Sequence, residues 1–136
     1  MQAVLINGSI YCIYGYLIYC FLHDITPFSF VIMFYVVPIV INTIFSVIYI
    51  NKRKKVSSKI VSPTFSTINY ILLGFILQTN GLWKIFVEKY SVATKEVSIS
   101  IASRMITLSQ IVFVILLYFG INYLVTIILI KFNKKE

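Results

Sequence analysis

The chain has 136 residues, of which 60% are hydrophobic and only 12% charged, with a mean hydropathy of +0.94. A soluble domain carries about 25% charged residues, so a water-facing surface is excluded and the solvent must be largely lipid. Net charge is +8, but the cations cluster at the ends of apolar runs, where they serve as orientation signals and contacts for anionic lipid headgroups rather than for nucleic acid.

The first apolar run, 4–22, reads as a retained transmembrane helix: the start Met1-Gln2-Ala3 lacks the charged region of a cleavable signal. Cys12 and Cys20 both fall in this run, about 12 Å apart along a helix, which rules out a disulfide between them. Gly8, Cys12, Gly15 and Tyr19 share one face, where small residues allow close helix approach. That face is either a dimerisation seam or a contact with another span of the same chain. His23-Asp24-Ile25-Thr26-Pro27 is a tight connection, with Thr26 as helix cap and Pro27 in the first turn. His23 has no second ligand nearby in metal spacing, so no metal or catalytic role follows.

The second run, 28–50, contains 23 residues without a formal charge, fifteen of them Ile, Val or Phe. Their insertion gains roughly 5–9 kcal/mol. The run stops at Lys52-Arg53-Lys54-Lys55, and each of these cations would cost about 2.5–3.5 kcal/mol at the bilayer centre. The run therefore stays in lipid and the cations stay at the headgroups as an orientation anchor. Pro38, near the middle, removes a backbone donor and clashes with the carbonyl four residues back, which predicts a kink. Tyr35, Pro38, Asn42, Ser46 and Tyr49 form a polar stripe. Lipid cannot satisfy such groups, so the stripe faces other helices. It is the candidate site, as interhelical adhesive or as the lining of a substrate path.

A basic connection, 51–61, leads to a third span, 65–83, opened by Ser62-Pro63 and ended by Trp83-Lys84 at the far interface. The long connection 85–104 carries Phe86, Tyr90, Ala93, Val97 and Ile101 at a helical period and reads as an amphipathic helix on the membrane or as extensions of the adjoining spans. Ser98-Ile99-Ser100-Ile101 also alternates like a strand. The fourth span, 105–130, has a polar face of Tyr118, Asn122 and Thr126, followed by a basic tail.

The expected fold is thus an all-α membrane protein, a single integral domain over 1–136, with four transmembrane helices arranged as two hairpins. With four spans, eight Lys/Arg fall on the side of the termini and four on the other. The excess of cations predicts both termini in the cytoplasm of a cell-membrane protein. No ionisable residue lies between the predicted interfaces. Ion-coupled transport and intramembrane proteolysis lack their usual groups, and no phosphate loop or metal motif is present. The expectation is a non-enzymatic protein without cofactor, acting by helix–helix contact with a membrane-protein partner or as a homo-oligomer. A small transport or permeation component and a bacteriocin-immunity type protein are the alternatives.

Four apolar runs in this length, the stretch Val36-Val37-Pro38-Ile39 and the basic tail together resemble the staphylococcal Msa-type membrane proteins, modulators of a virulence regulator. The resemblance implies a bacterial inner-membrane protein that influences gene expression indirectly.

Overall fold

A computed structural model describes residues 2–51, 55–93, 98–99 and 101–133. Among them, four helices are long and apolar enough to cross a membrane: Val4–Phe21, Pro27–Tyr49, Lys59–Thr79 and Leu108–Phe132. Helix α1 (Gln2–Phe21) runs into a 3-10 turn over Leu22–Asp24. The second span is built from α2 (Pro27–Val31), a π-helical turn (Ile32–Val36) and α3 (Val37–Asn51). Helix α4 covers Lys55–Thr79, α5 Leu82–Tyr90 and α6 Leu108–Asn133. A short antiparallel ribbon pairs β1 (Val92–Ala93) with β2 (Ser98–Ile99).

The second span starts where the sequence predicts. The Thr26 hydroxyl accepts from Ser29 N–H at 3.2 Å, Ser29 Oγ accepts from Thr26 N–H at 2.8 Å, and Pro27 occupies the first helical turn. This reciprocal capping satisfies two of the donors that a helix start leaves free.

The later boundaries differ from the sequence reading. Ser62-Pro63 does not open the third span. Helix α4 begins at Lys55 and holds Pro63 inside it, so most of the expected connection 51–61 is helix. The span then ends earlier, at Thr79, and Gly81 just beyond it has a φ of 73°, a left-handed conformation that glycine adopts without strain. Trp83 consequently belongs to α5. It is buried; its indole N–H donates to Ala102 O at 3.1 Å, and its ring stacks on Phe86 at 5.2 Å.

The helical period read over 86–101 holds only as far as Tyr90, and Val92–Ala93 and Ser98–Ile99 pair as strands. The alternation at Ser98-Ile99 competes with the helical period, and the antiparallel partner decides between them. The last span begins at Leu108 rather than Met105. The Thr107 hydroxyl caps it by accepting from Gln110 N–H at 3.3 Å, while Met105 is buried beside Gly74.

Helix α4 is the hub of the bundle: α1, α3 and α6 all pack against it, and α3 also packs on α6. The Gly8, Cys12, Gly15 face meets α4, so the contact lies within the chain. A Cβ on Gly8 would sit 3.4 Å from the Phe65 ring, and one on Gly15 would sit 2.7 Å from Asn69 Oδ1. Ring packing of Phe30, Phe34, Tyr70, Trp83 and Phe86 fills one end of the bundle.

Candidate functional site

The predicted stripe on the second span begins at the π turn. Proline has no N–H, so Pro38 leaves the Phe34 carbonyl without its helical donor, and its ring crowds that carbonyl. The helix yields by one residue: Val37 N–H reaches back five residues to Ile32 O instead of four to Met33 O. Two consecutive carbonyls, Met33 O and Phe34 O, are thereby released near the middle of the span. In lipid such groups must be satisfied by protein. The Tyr14 hydroxyl from α1 donates to Met33 O, and the Tyr118 hydroxyl from α6 donates to Phe34 O. The π turn is the way the helix absorbs the clash.

One turn further on, Asn42 forms the centre of a second cluster. Its Oδ1 accepts from Tyr11 Oη at 2.8 Å, Ser62 Oγ at 2.6 Å and Ser66 Oγ at 2.9 Å. Tyr11 Oη and Ser66 Oγ are themselves 2.6 Å apart. Three spans therefore converge on one amide that is 2% exposed. Ser46, completely buried, donates to Asn122 Oδ1 on α6 at 2.6 Å. At the N-terminal side of α1, the Asn7 amide donates to the Tyr49 hydroxyl.

The defect at Pro38 recurs at Pro63. Inside α4, Pro63 deprives Lys59 O of its donor, and Asn122 Nδ2 from α6 supplies one at 3.4 Å. Tyr118 and Asn122, one turn apart on α6, thus serve the two prolines of its neighbouring spans.

Of the predicted site residues, Pro38, Asn42 and Ser46 are buried in this seam. Tyr35 is half-buried at its edge, its hydroxyl 3.4 Å from that of Tyr70. Lys55 begins α4, while Lys52, Arg53 and Lys54 lie outside the described residues. Sequence reasoning missed the partners: Tyr11, Tyr14, Ser62 and Ser66. The signal was present, since a tyrosine in mid-span needs an acceptor and a mid-span proline creates one. Ser62 and Ser66 also stand four apart, on one helix face.

Outside the seam, an open groove of about 500 Å³ runs along the α1–α4 contact, lined by Gly8, Cys12, Gly15 and Tyr19 on one wall and by Phe65 and Leu72 among others on the opposite wall. At the C-terminal ends of both helices lies a pocket of about 400 Å³ lined by Tyr19, Cys20, His23, Asn80 and Leu82. Among the described residues, no cluster of His, Cys, Asp and Glu could hold a metal ion. Comparison with protein-family models, with curated proteins and with solved structures finds no match to this chain. The functional reading therefore rests on the geometry.

Proposed function

We propose that this chain is a small multi-pass protein of a bacterial cell membrane, not an enzyme, that acts by helix–helix contact with a larger membrane protein such as a sensor. The observation that carries this reading is the engagement of the polar seam. The side chains that could line a path (Tyr35, Asn42, Ser46, Tyr118 and Asn122) are bonded to one another's spans or to the carbonyls that the prolines release. A seam consumed in this way holds the bundle together and leaves its outer surface as the part that can act. The resemblance to Msa-type proteins extends the proposal to modulation of a signalling partner and, through it, of virulence gene expression.

The proposed arrangement is two hairpins with both termini in the cytoplasm, and with the Lys52–Lys55 run against anionic lipid headgroups. The excess of cations on the side of the termini supports it. Reporter fusions after Lys55 and after Lys95 are then expected on opposite sides.

Purification in mild detergent tests the function: a stoichiometric membrane partner is expected, and a chain that always runs alone as a monomer overturns the reading. Cysteine placed at Asn42 or Ser46 should resist water-soluble thiol reagents. Fast labelling there would instead support a permeation component.

A further inference from the structure

The groove between α1 and α4 and the pocket at their ends adjoin, with Tyr19 lining both. The groove follows α1 from Gly8 to Tyr19 and α4 from Phe65 to Ile76. At a rise of about 1.5 Å per residue each stretch is about 16 Å long. That length equals half of a hydrocarbon core of about 30 Å, and the stretch runs from the pocket end past the midpoints of Val4–Phe21 and Lys59–Thr79. The groove's wall is dominated by ring and aliphatic carbon: Phe65, Ile68, Leu72, Leu73 and Ile76. The pocket at its mouth has a different character, presenting the Tyr19 hydroxyl, the His23 imidazole and the Asn80 amide. His23 and Asn80 are exposed and stand past the ends of the spans, at the level of the membrane surface. No Lys or Arg lines the pocket, and the neighbouring carboxylate, Asp24, is not among its lining residues.

An apolar trough as long as an acyl chain, adjoining hydrogen-bond donors at the surface, has the form of a membrane lipid. We propose that this composite surface binds one glycerophospholipid. An acyl chain lies along the α1–α4 groove, and phosphate and glycerol oxygens accept hydrogen bonds from His23 and Asn80. The lipid belongs to the leaflet on the pocket side, the outer one in the orientation proposed above. An acyl chain is several-fold thinner than a helix about 10 Å across and can lie wholly within an open groove of about 500 Å³. Gly8 and Gly15 keep the trough open, since neither adds a side chain to its wall.

Photolabelling of the full chain in phosphatidylcholine vesicles tests the proposal. The probes are phosphatidylglycerol with a diazirine in one acyl chain and diacylglycerol with the same chain. Labelled positions are mapped by peptide mass spectrometry. Groove residues such as Cys12 and Leu72 are compared with Leu116 and Leu124, which are exposed on α6. With the phospholipid probe, labelling of the groove is expected to exceed that of α6 by about threefold or more, the equivalent of a modest affinity difference. Cys12→Trp, or Leu72→Trp on the facing wall should the first variant not fold, brings groove labelling down to the α6 level. The double variant His23→Ala/Asn80→Ala lies outside the core. It should keep the unfolding temperature and reduce phospholipid enrichment to that of diacylglycerol.

Even labelling of both faces overturns the site. So does enrichment that a folded Trp variant leaves untouched, and so does diacylglycerol enriched as strongly as phosphatidylglycerol. Disulfide cross-linking of Cys12 between two copies of the chain overturns it as well, because a second copy then occupies the groove.

Discussion

Pro38 and Pro63 each deprive a helix of one N–H, orphaning Phe34 O in one span and Lys59 O in another. Their surroundings differ by depth. Pro38 stands midway along Pro27–Tyr49, whereas Pro63 stands one turn from the start of Lys59–Thr79. At the deep site the helix shifts to a π turn, two carbonyls are released, and tyrosines from two other spans bind them. At the shallow site α4 continues as an α-helix, one carbonyl is released, and a single amide serves it at the long distance of 3.4 Å. Lys59 itself turns its ammonium over the Tyr123 ring, 5.0 Å from the centroid, a snorkelling arrangement suited to the interface. The same covalent defect thus recruits more protein where water cannot reach it. Depth, more than proline itself, sets how much of the chain must be committed to repair.

The comparison predicts that stability concentrates around Pro38. The largest effect is expected at Asn42, one turn along. Asn42→Leu leaves the hydroxyls of Tyr11, Ser62 and Ser66 without their common acceptor. Unsatisfied buried groups cost about 1–3 kcal/mol each. Ser66 can fall back on Ser62 O at 3.0 Å, and the Asn42 amide nitrogen, which has no partner among the described residues, is removed. The net loss should be about 2–4 kcal/mol, read from unfolding in a titration of mild detergent with dodecyl sulfate. A loss below that of a single hydrogen bond would mean that the three spans are not held by this amide.

Tyr118→Phe removes one hydroxyl and leaves the rings packed, stranding Phe34 O in the core. A cost of about 1–3 kcal/mol is expected in the same titration. The cause is tested by a cycle with Pro38→Ala. Alanine returns an N–H that the Phe34 carbonyl can use, so in that background Tyr118→Phe should cost about 1 kcal/mol less. Equal costs in both backgrounds would show that the tyrosine is there for packing and not for repair.

Much of this was legible in the residues. Thr26-Pro27 announced a helix start, and the stripe through Pro38, Asn42 and Ser46 announced a face turned from lipid, because both follow from local hydrogen-bond requirements. The third span was misplaced for a related reason. In an isolated segment Pro63 reads as a helix start, whereas Asn122, distant in sequence, supplies the donor that lets α4 run through it. The π turn was likewise hidden. A one-residue insertion needs donors ready at two carbonyls, and those donors come from α1 and α6. The groove at Gly8 and Gly15 required knowing that α4 is the neighbour, which tertiary packing alone decides. Local rules gave the elements and the polar faces, and partners across the bundle set the boundaries.

The smallest expected effect tests the shallow proline. Asn122→Ala removes the contact to Lys59 O together with others, among them the one from Ser46, so its total cost says little about Pro63. A cycle with Pro63→Ala isolates the first, since the loss at Ser46 is common to both backgrounds. The contact is long and lies near the end of the span, where headgroups and water compete for the carbonyl. Its coupling should therefore not exceed about 0.6 kcal/mol, the average for an interhelical hydrogen bond in a membrane. That value would be smaller than the coupling at Pro38. A coupling as large as that between Pro38 and Tyr118 would abolish the depth dependence. It would mean that Lys59 O is as dry as Phe34 O, and that α4 enters the membrane before Lys59.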